Sequence, residues 1–370
     1  MKNLFSNVYQ DKKVFVTGHT GFKGSWLTLW LKALGANVIG YSLPPPTEPS
    51  LYKTARLNEG ITHIEGDVRD ESSLLKAMQT HQPDMVFHLA AQPLVRHSYQ
   101  DPVETYATNV MGTVHLLEAI RKTPGVRICV NITSDKCYEN REWDYAYREN
   151  DPMGGYDPYS SSKGAAELVA SAYRRSFFNP ENHEQHKMSL VSVRAGNVIG
   201  GGDWAQDRLI PDVIRSLSQK KPIEIRSPDA VRPWQHVLDP LSGYLWLGAC
   251  LWQNPKDHDY GWNFGPLASN AMPVREIVGE SIALWGKGEW RQGAARTHEA
   301  KTLKLDSTKA ATLLKWSPVY DIKESLIATV SWYRGYYHEN NFDPLIFSLS
   351  QLEDYVQSAK KQNKIWVKVQ

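Results

Sequence analysis

Residues 14–24 read VFVTGHTGFKG, and this short stretch decides how the first part of the chain folds. Val14, Phe15 and Val16 form an apolar run typical of a buried strand, and apolar residues at helical spacing follow over 24–33. Glycines between them permit a tight turn and let backbone N–H groups approach a pyrophosphate, which the helix N-terminus stabilises. This order of strand, turn and helix predicts a dinucleotide-binding loop. The residues predicted to form it are Gly18, Thr20, Gly21, Phe22, Lys23 and Gly24.

Strand-like and helix-like segments alternate beyond this loop. Further strands are predicted at 37–40, 61–65, 84–89, 128–132 and 190–194, and the main helices at 102–122 and 159–178. The alternation predicts an α/β fold with a Rossmann-type doubly wound parallel sheet.

The pattern changes after about residue 200, where short segments are punctuated by proline. We therefore predict a mainly dinucleotide-binding domain at 1–189 and a smaller, loop-rich C-terminal substrate domain at 190–370. Some segments after 190 are expected to return to the first sheet. The tail at 361–370 has the pattern of an added edge strand.

Composition excludes several classes of protein. The net charge of the 370-residue chain is only +2, and its basic residues are scattered, so neither nucleic acid nor a membrane is an expected partner. Three cysteines without a CxxC pair fit a reducing cytosol. No apolar run is long enough for a membrane span, and no ligand spacing indicates a metal. We expect a cytoplasmic protein.

The end of the second predicted strand bears on which dinucleotide binds. Gly40-Tyr41-Ser42 stands where a carboxylate normally holds the adenosine ribose, and no arginine follows to take a 2′-phosphate. NAD is therefore favoured over NADP. Asp67 and Val68, after the third strand, are suited to flank adenine, although a solvated loop aspartate would look the same. Leu89, Ala90 and Ala91 end the fourth strand and let a cofactor lie close to the backbone.

Tyr159 and Lys163 lie four residues apart on a predicted helix and so share one face. A lysine cation beside a phenol favours the phenolate and lowers its pKa from about 10. Such a phenolate can take the proton of an alcohol. The YxxxK pattern alone is more often a surface pair, but here it accompanies the glycine loop and a hydroxyl at Ser134.

The fifth predicted strand, 128–132, is followed by Thr133, Ser134, Asp135 and Lys136. Chemistry in open α/β sheets is commonly found at the carboxyl ends of strands. An adjacent carboxyl and amine can act as an acid–base pair, because each shifts the pKa of the other. They can equally form a salt bridge that ends the strand.

Seven motifs, in order over residues 12–270, resemble the extended short-chain dehydrogenase/reductases and, within them, the nucleotide-sugar 4,6-dehydratases. The motifs are TGHTGFKG, HLAAQPLVRHSY, YATNVMGTVHLLEA, TSDKCY, YDPYSSSKGAAE, VRAGNVIGGGDW and RPWQHVLDP. TGHTGFKGSWL, TSDKCY and GNVIGGGDW are most similar to the members that act on CDP-glucose. The dTDP-glucose enzymes have Thr-Asp-Glu where this chain has Ser134-Asp135-Lys136, so the role of that glutamate does not transfer directly.

This resemblance implies a lyase that removes water from CDP-glucose, in the biosynthesis of deoxysugars for the O-antigen of lipopolysaccharide. NAD would accept a hydride from C4 and return it to C6. Tyr159 would take the C4 hydroxyl proton with Ser134 sharing the hydrogen bond, and we assign Asp135 as the acid at C6 and Lys136 as the base at C5. The implied catalytic residues are Ser134, Asp135, Lys136, Tyr159 and Lys163.

The resemblance also implies binding residues and an assembly. The cofactor residues beyond the glycine loop are Ser42, Asp67, Val68, Leu89, Ala90, Ala91, Thr108, Tyr159 and Lys163. The substrate residues are Gln92, Arg96, Ser134, Asn197, Arg208 and Arg232. Helices 102–122 and 159–178 would pair with their two-fold mates in a homodimer or a dimer of dimers. Plainer interpretations remain: Asn197 as a turn cap, Arg194 and Arg208 as surface charges, and His236 and Asp239 as supports of the domain interface.

Other functions fit part of the pattern. A nucleotide-sugar 4-epimerase would use Tyr159 and NAD but would need no acid–base pair after Ser134. A 4,6-dehydratase could also act on a GDP- or dTDP-sugar. A non-catalytic NAD-sensing regulator is the third alternative, and the intact Tyr159, Lys163 and Ser134 argue against it.

Overall fold

The computed structural model describes residues 1–257, 260–267, 270–293 and 303–368. The strands in these ranges are β1 (Lys13–Thr17), β2 (Asn37–Ser42), β3 (Thr62–Glu65), β4 (Met85–His88), β5 (Ile128–Ile132), β6 (Ser189–Arg194), β7 (Asn197–Ile199), β8 (Ile223–Ile225), β9 (Val231–His236), β10 (Tyr260–Asn263), β11 (Ala271–Pro273) and β12 (Trp290–Gln292).

The α-helices in the same ranges are α1 (Phe22–Ala33), α2 (Leu51–Thr54), α3 (Glu71–His81), α4 (Val95–Gln100), α5 (Pro102–Tyr106), α6 (Gly112–Arg121), α7 (Pro158–Ser176), α8 (His183–His186), α9 (Leu209–Ser218), α10 (Leu238–Gln253), α11 (Val274–Trp285), α12 (Thr308–Leu313), α13 (Ile322–His338) and α14 (Pro344–Lys361).

A seven-stranded parallel sheet forms the centre, in the order β3-β2-β1-β4-β5-β6-β10. The first six strands have the order of a doubly wound dinucleotide-binding sheet, so the predicted Rossmann-type fold is confirmed. The position of the seventh strand, β10, was not predicted, although segments after 190 were expected to return to this sheet; β10 pairs with β6 from far along the chain. Two small sheets follow, β11-β9-β7 and β12-β8.

Both faces of the central sheet are covered by apolar side chains. Alternate residues of β1 point to opposite faces: Val14 and Val16 pack in one core cluster, and Phe15 packs in the other. Trp26 and Trp30 are fully buried on α1, in the core cluster that also contains Val14 and Val16. Their rings contact His236 and Trp366 respectively, so they also pack α1 against later segments of the chain. Among the helices that the structure describes, none has the length and apolar character needed to cross a bilayer.

The helix predicted at 102–122 contains an unpredicted turn of π-helix at Ala107–Met111, between α5 and α6. Asn109, inside this turn, is buried. Its side-chain oxygen accepts the Gln92 N–H, and its side-chain amide donates to the Gln92 carbonyl and to the Ser162 hydroxyl. Such turns occur often at functional sites. Here the turn ties the segment after β4 to α7.

The edge strand predicted at 361–370 is wrong for the part that the structure describes, which ends at 368. Helix α14 continues to Lys361, and a 3₁₀ turn follows at Ile365–Val367. Its Trp366 is fully buried and stacks on Phe5, with ring centroids 5.1 Å apart. The apolar residues of this tail are therefore used in core packing and not in strand pairing.

Candidate active site

The glycine loop joins β1 to α1 and accepts no larger residue at two positions. Gly18 has φ +72°, and a Cβ atom there would lie 2.7 Å from the Ala90 nitrogen. A Cβ atom at Gly24 would lie 2.2 Å from the Gly18 oxygen. No side chain caps the N-terminus of α1, which begins after Gly21. This bare, positively polarised helix end in a close-packed glycine turn fits the pyrophosphate of NAD.

The end of β4 lies against this loop, as the small residues predicted. The Thr17 hydroxyl accepts the N–H groups of Leu89 and Ala90, each at 3.2 Å, and hydrogen-bonds His88 Nδ1 at 2.7 Å. These contacts align the carboxyl ends of β1 and β4. The structure therefore places Leu89, Ala90 and the glycine loop side by side, with Ala91 next along the chain.

The residues predicted at the adenosine end lie at the ends of β2 and β3. Ser42 Oγ is 2.8 Å from Thr20 Oγ1, which joins the end of β2 to the glycine loop. The Asp67 carboxylate is held by Arg69 and is not simply solvated. Val68 is buried, and it lies against Gly112, just beyond the π-helical turn that contains Thr108.

Tyr159 and Ser134 are in hydrogen-bond contact, although they come from different elements. Tyr159 is the second residue of α7, whose start is fixed by Asp157 accepting the Ser160 N–H. Ser134 follows β5, and its hydroxyl donates to Asp135 Oδ1 at 2.9 Å. The hydrogen bond between the two hydroxyl groups lowers the pKa of Tyr159, against the larger effect of burial. The structure thus brings the two residues together, and their roles at C4 stay a prediction.

The predicted lowering of the Tyr159 pKa is wrong. Burial raises the pKa of Tyr159 to about 12, while Ser134 and the positive charge of Arg208 oppose that effect and Asp135 adds to it. Desolvation of the charged phenolate outweighs these neighbours. Lys163 is itself buried, and burial lowers its pKa to about 8, opposed by Glu167.

Lys23 points its ammonium group towards the predicted catalytic residues. Its pKa is lowered to about 8, chiefly by burial, with the charges of Arg208 and Lys163 acting in the same direction and Asp135 acting against them. The sequence placed Lys23 in the cofactor loop but did not place its side chain. Lys23 is therefore a second cation, besides Lys136, that interacts electrostatically with Asp135.

Asp135 and Lys136 differ sharply in exposure. The Asp135 side chain is 3% exposed and that of Lys136 is 35% exposed, with Nζ 3.7 Å from Asp135 Oδ1. The Asp135 N–H donates to the Ala195 oxygen, and a Cβ atom at Gly196 would lie 3.2 Å from Asp135 Oδ2. The salt bridge left open by the sequence is thus present. The two residues nevertheless follow Ser134 directly in the chain, and the Lys136 side chain remains accessible to solvent.

Arg194 is not the surface charge that one interpretation allowed. Its guanidinium is buried and makes two 2.8 Å hydrogen bonds to the Glu167 carboxylate, which also accepts the Thr133 hydroxyl. Arg194 also donates to the Tyr138 hydroxyl. This buried pair joins α7, the end of β5 and the end of β6, so it supports the segment that carries Ser134. Sequence reasoning missed Glu167, whose spacing of four from Lys163 was the available signal.

The predicted substrate residues lie in several environments. Arg208 binds Asp203 at 3.0 Å and Arg96 binds Asp207 at 2.6 Å. The Gln92 amide is engaged with Leu94 and Thr105.

The remaining two lie on neighbouring strands of a small sheet. Asn197 opens β7, paired with Trp234 of β9, and Arg232 lies two residues earlier on β9. His236 and Asp239 are fully buried in this half of the chain. No group of metal-ligating side chains occurs among the described residues.

Comparison with known proteins agrees with this geometry. Residues 14–260 match the model of the NAD dependent epimerase/dehydratase family. The CDP-glucose 4,6-dehydratase of Salmonella typhimurium is 53% identical over 357 residues, covering 96% of this chain and 99% of that protein. The UDP-glucose 4-epimerase of Halalkalibacterium halodurans is 27% identical, covering 88% and 96%.

The dTDP-glucose 4,6-dehydratase DesIV of Streptomyces venezuelae, solved with NAD, has a similar fold. Its TM-score is 0.75 at 24% identity, covering 88% of this chain and 99% of that chain. The family match and the Salmonella relative confirm the resemblance inferred from the motifs. With a family model matched over 14–260 and 53% identity across 96% of its length, the chain belongs to the NAD-dependent epimerase/dehydratase family, whose cofactor is NAD.

Proposed function

We propose that this protein is a CDP-glucose 4,6-dehydratase, a lyase that converts CDP-glucose to CDP-4-keto-6-deoxyglucose and water. The observation that carries the proposal is the contact of Tyr159 with Ser134, directly beside the Asp135–Lys136 pair. Oxidation at C4 needs the first two residues, and elimination across C5 and C6 needs the pair. The 53% identity to the Salmonella enzyme supports cytosine as the base of the nucleotide.

The glycine loop and the end of β4 would hold NAD, which would supply a hydride acceptor for C4 and a hydride donor for C6. Tyr159 takes the proton of the C4 hydroxyl, and Ser134 Oγ lies within the same hydrogen-bond network. The nearby Arg208 charge lowers the pKa of Tyr159 against the effect of burial, so it favours the proton-accepting form. Lys163, one helical turn further on, belongs to the same buried face of α7.

Elimination follows because the 4-ketone makes the C5 proton acidic. A proton first passes from Lys136 Nζ to the Asp135 carboxylate within their ion pair, and the neutral Lys136 then takes the C5 proton. The Lys136 side chain is 35% exposed, which leaves it open to a sugar beside β5. Asp135 donates a proton to the departing C6 hydroxyl, which leaves as water. Lys136 then returns its proton to C5 as C6 receives the hydride that bound NAD would supply, which gives CDP-4-keto-6-deoxyglucose and would leave NAD oxidised.

Binding roles follow from the same arrangement. The residues proposed to hold NAD are Gly18, Thr20, Gly21, Phe22, Lys23, Gly24, Ser42, Asp67, Val68, Leu89, Ala90, Ala91, Thr108, Tyr159 and Lys163. Those proposed to hold the substrate are Gln92, Arg96, Ser134, Asn197, Arg208 and Arg232. We also propose the division into 1–189, mainly for NAD, and 190–370, mainly for the sugar nucleotide.

The biological setting is part of the proposal. A 4-keto-6-deoxy sugar nucleotide is a precursor for deoxysugars, which supports a role in O-antigen biosynthesis in the cytoplasm. Exposed apolar side chains on α5 and α7, among them Val103 and Leu168, support assembly through these helices as a homodimer or a dimer of dimers.

A panel of sugar nucleotides tests the activity. Purified protein with NAD is incubated separately with the CDP, dTDP, GDP and UDP forms of glucose, and the ultraviolet absorbance of a 4-keto-6-deoxy sugar is followed in alkali. CDP-glucose should give the largest kcat/KM. Conversion of glucose to galactose without a keto product would establish an epimerase instead, and preference for another nucleotide would correct the base.

A further inference from the structure

Two arginines distant in sequence share one carboxylate oxygen. Arg96 NH1 donates to Asp207 Oδ1 at 2.6 Å, and Arg226 NH2 donates to the same oxygen at 3.2 Å. Arg96 lies in α4, shortly after β4, whereas Asp207 precedes α9 and Arg226 follows β8. All three side chains are between 32% and 34% exposed. We call these three residues the Asp207 bridge.

The Asp207 bridge lies next to the proposed catalytic site. Arg208, the following residue, is close enough for its charge to act on Tyr159 and on Lys23. Helix α9 begins directly after Arg208, and no side chain caps its N-terminus. The positive end of this ten-residue helix therefore begins two residues after Asp207, the residue that binds both arginines.

The carboxylate is a poor match for the guanidinium groups around it. One oxygen of Asp207 serves two arginines, so neither is paired bidentately. Arginine binds phosphate best through two parallel hydrogen bonds. Asp207 also has φ +60°, a left-handed conformation that asparagine, aspartate and glycine tolerate best. A diphosphate offers more acceptor oxygens and more charge than this one side chain.

We propose that Asp207 holds the position of a phosphate group in the free protein, and that Arg226 is a further ligand of the substrate diphosphate. The diphosphate of an incoming sugar nucleotide displaces the Asp207 carboxylate and pairs with Arg96 and Arg226. Asp207 thus competes with the substrate and weakens its binding. This inference deepens the proposed function and rests on a nucleoside diphosphate sugar as substrate.

Titration calorimetry at low salt tests the competition. Asp207→Asn should lower the Kd for CDP about three-fold to ten-fold, the size expected when one or two exposed ion pairs no longer have to be broken. Asp207→Gly also suits φ +60° and should give the same gain. Cytidine, which has no phosphate, should bind all variants equally.

Arg226 supplies the second half of the test. Arg226→Gln should raise the Kd for CDP, and the gain from Asp207→Asn should shrink in the Arg226→Gln background, because one competed guanidinium is gone. Glu224→Gln is the matched control: it removes an exposed 2.6 Å ion pair to Arg291, two residues from Arg226, and should leave CDP binding unchanged.

The outcomes separate this inference from the proposed function. Unchanged or weaker CDP binding by both Asp207 variants would overturn the inference, since the bridge would then position the arginines for the substrate. Failure of the unaltered protein to bind CDP and to dehydrate CDP-glucose would instead overturn the proposed function. The Asp207 variants are then compared with whichever nucleoside diphosphate the unaltered protein does bind, and that comparison decides the inference.

Discussion

Tyr159 shows how burial and charge compete at a single side chain. Its pKa is raised to about 12 by burial, and the hydrogen bond from Ser134 and the charge of Arg208 act in the opposite direction. The proton-accepting form is therefore costly, and each neighbour that favours it contributes to the rate. Activity should rise with pH through the neutral range, because the phenolate fraction increases with pH below this pKa.

Tyr159→Phe should abolish most turnover while leaving substrate binding intact. Only the hydroxyl that takes the C4 proton is lost, so we expect kcat to fall about a hundred-fold to ten-thousand-fold. Steady-state rates with CDP-glucose and calorimetry with CDP measure the two effects. Tyr156→Phe alters a strongly exposed tyrosine three residues earlier and serves as the control. A near-native rate in Tyr159→Phe would remove this residue from the mechanism.

Lys136→Met should stop the reaction after C4 oxidation. Oxidation needs Tyr159, Lys163 and Ser134, whereas elimination needs a proton acceptor at C5. Reduced-nicotinamide absorbance should then appear without a 4-keto-6-deoxy product. Asp135→Asn should stall at the same stage, because the C6 hydroxyl leaves poorly without a proton.

Deuterium exchange at C5 distinguishes the two variants. In heavy water, deuterium should enter C5 of the stalled sugar in Asp135→Asn, which keeps the base, and not in Lys136→Met. Deuterium at C5 in the methionine variant would mean that another group is the base. The Asp135–Lys136 ion pair would then be a structural feature of the strand end.

Helical periodicity made the Tyr159–Lys163 pair predictable, and the strand-end rule singled out Ser134. The family resemblance, and not local spacing, joined Ser134 to Tyr159, which lies on a different element. The missed residues are engaged over long range. Arg194 is hydrogen-bonded to Glu167, 27 residues away in the sequence, and Arg226 to Asp207, 19 residues away. No short motif indicates such contacts, so an arginine that is buried looks the same in the sequence as one that is exposed.

Among the elements, the strands β1 to β6 lie within one or two residues of their predicted positions, because each is a short apolar run bounded by polar residues. The strand β10 was missed because it joins the sheet from beyond residue 259, after the alternating pattern has ended. The π-helical turn at Ala107–Met111 was missed for a different reason. It depends on the tertiary hydrogen bonds of Asn109.

Helix α10 carries a buried acid near its start, which should make stability depend on pH. Burial raises the pKa of Asp239 to about 7, although the Val319 N–H and the Tyr355 hydroxyl donate to its carboxylate. The unfolded chain titrates near 3.9. The folded state therefore binds more protons between these values, and this group's stabilising contribution is lost as pH rises from about 4 through about 7.

Asp239→Asn should remove this dependence, because asparagine does not ionise and its oxygen can still accept both hydrogen bonds. Denaturant unfolding at pH 5 and pH 8 gives the comparison. The loss of unfolding free energy between the two pH values should be smaller in the variant than in the unaltered protein. Asp144→Asn, in a loop outside this cluster, is the control. An identical loss in both proteins would mean that Asp239 does not titrate in this range.

Assembly should depend on the outer faces of α5 and α7. Val103 is 77% exposed on the short helix α5 and Leu168 is 61% exposed on α7, so both apolar side chains are open to a partner subunit. Val103→Asp combined with Leu168→Asp should convert a dimer into a monomer of 42.0 kDa in light scattering at micromolar concentration.

Ile346→Asp provides the matched control for assembly. This residue is 67% exposed on α14, outside the two helices, and its substitution should leave the mass unchanged. A monomeric unaltered protein would contradict the proposed assembly directly. Dissociation by the Ile346 variant alone would place the contact on another face.

The labelling rates of the three buried cysteines measure how often the surrounding structure opens. Cys129 lies within β5, Cys137 in the turn after Lys136, and Cys250 on α10, and all are free and buried. Burial raises the pKa of each thiol, so alkylation must await an opening that exposes it. Under native conditions, mass spectrometry of labelled peptides would give a separate opening rate for each. Saturating CDP with NAD should slow labelling at Cys137 most, since the turn that it occupies also carries Asp135 and Lys136, which we propose to act on the sugar.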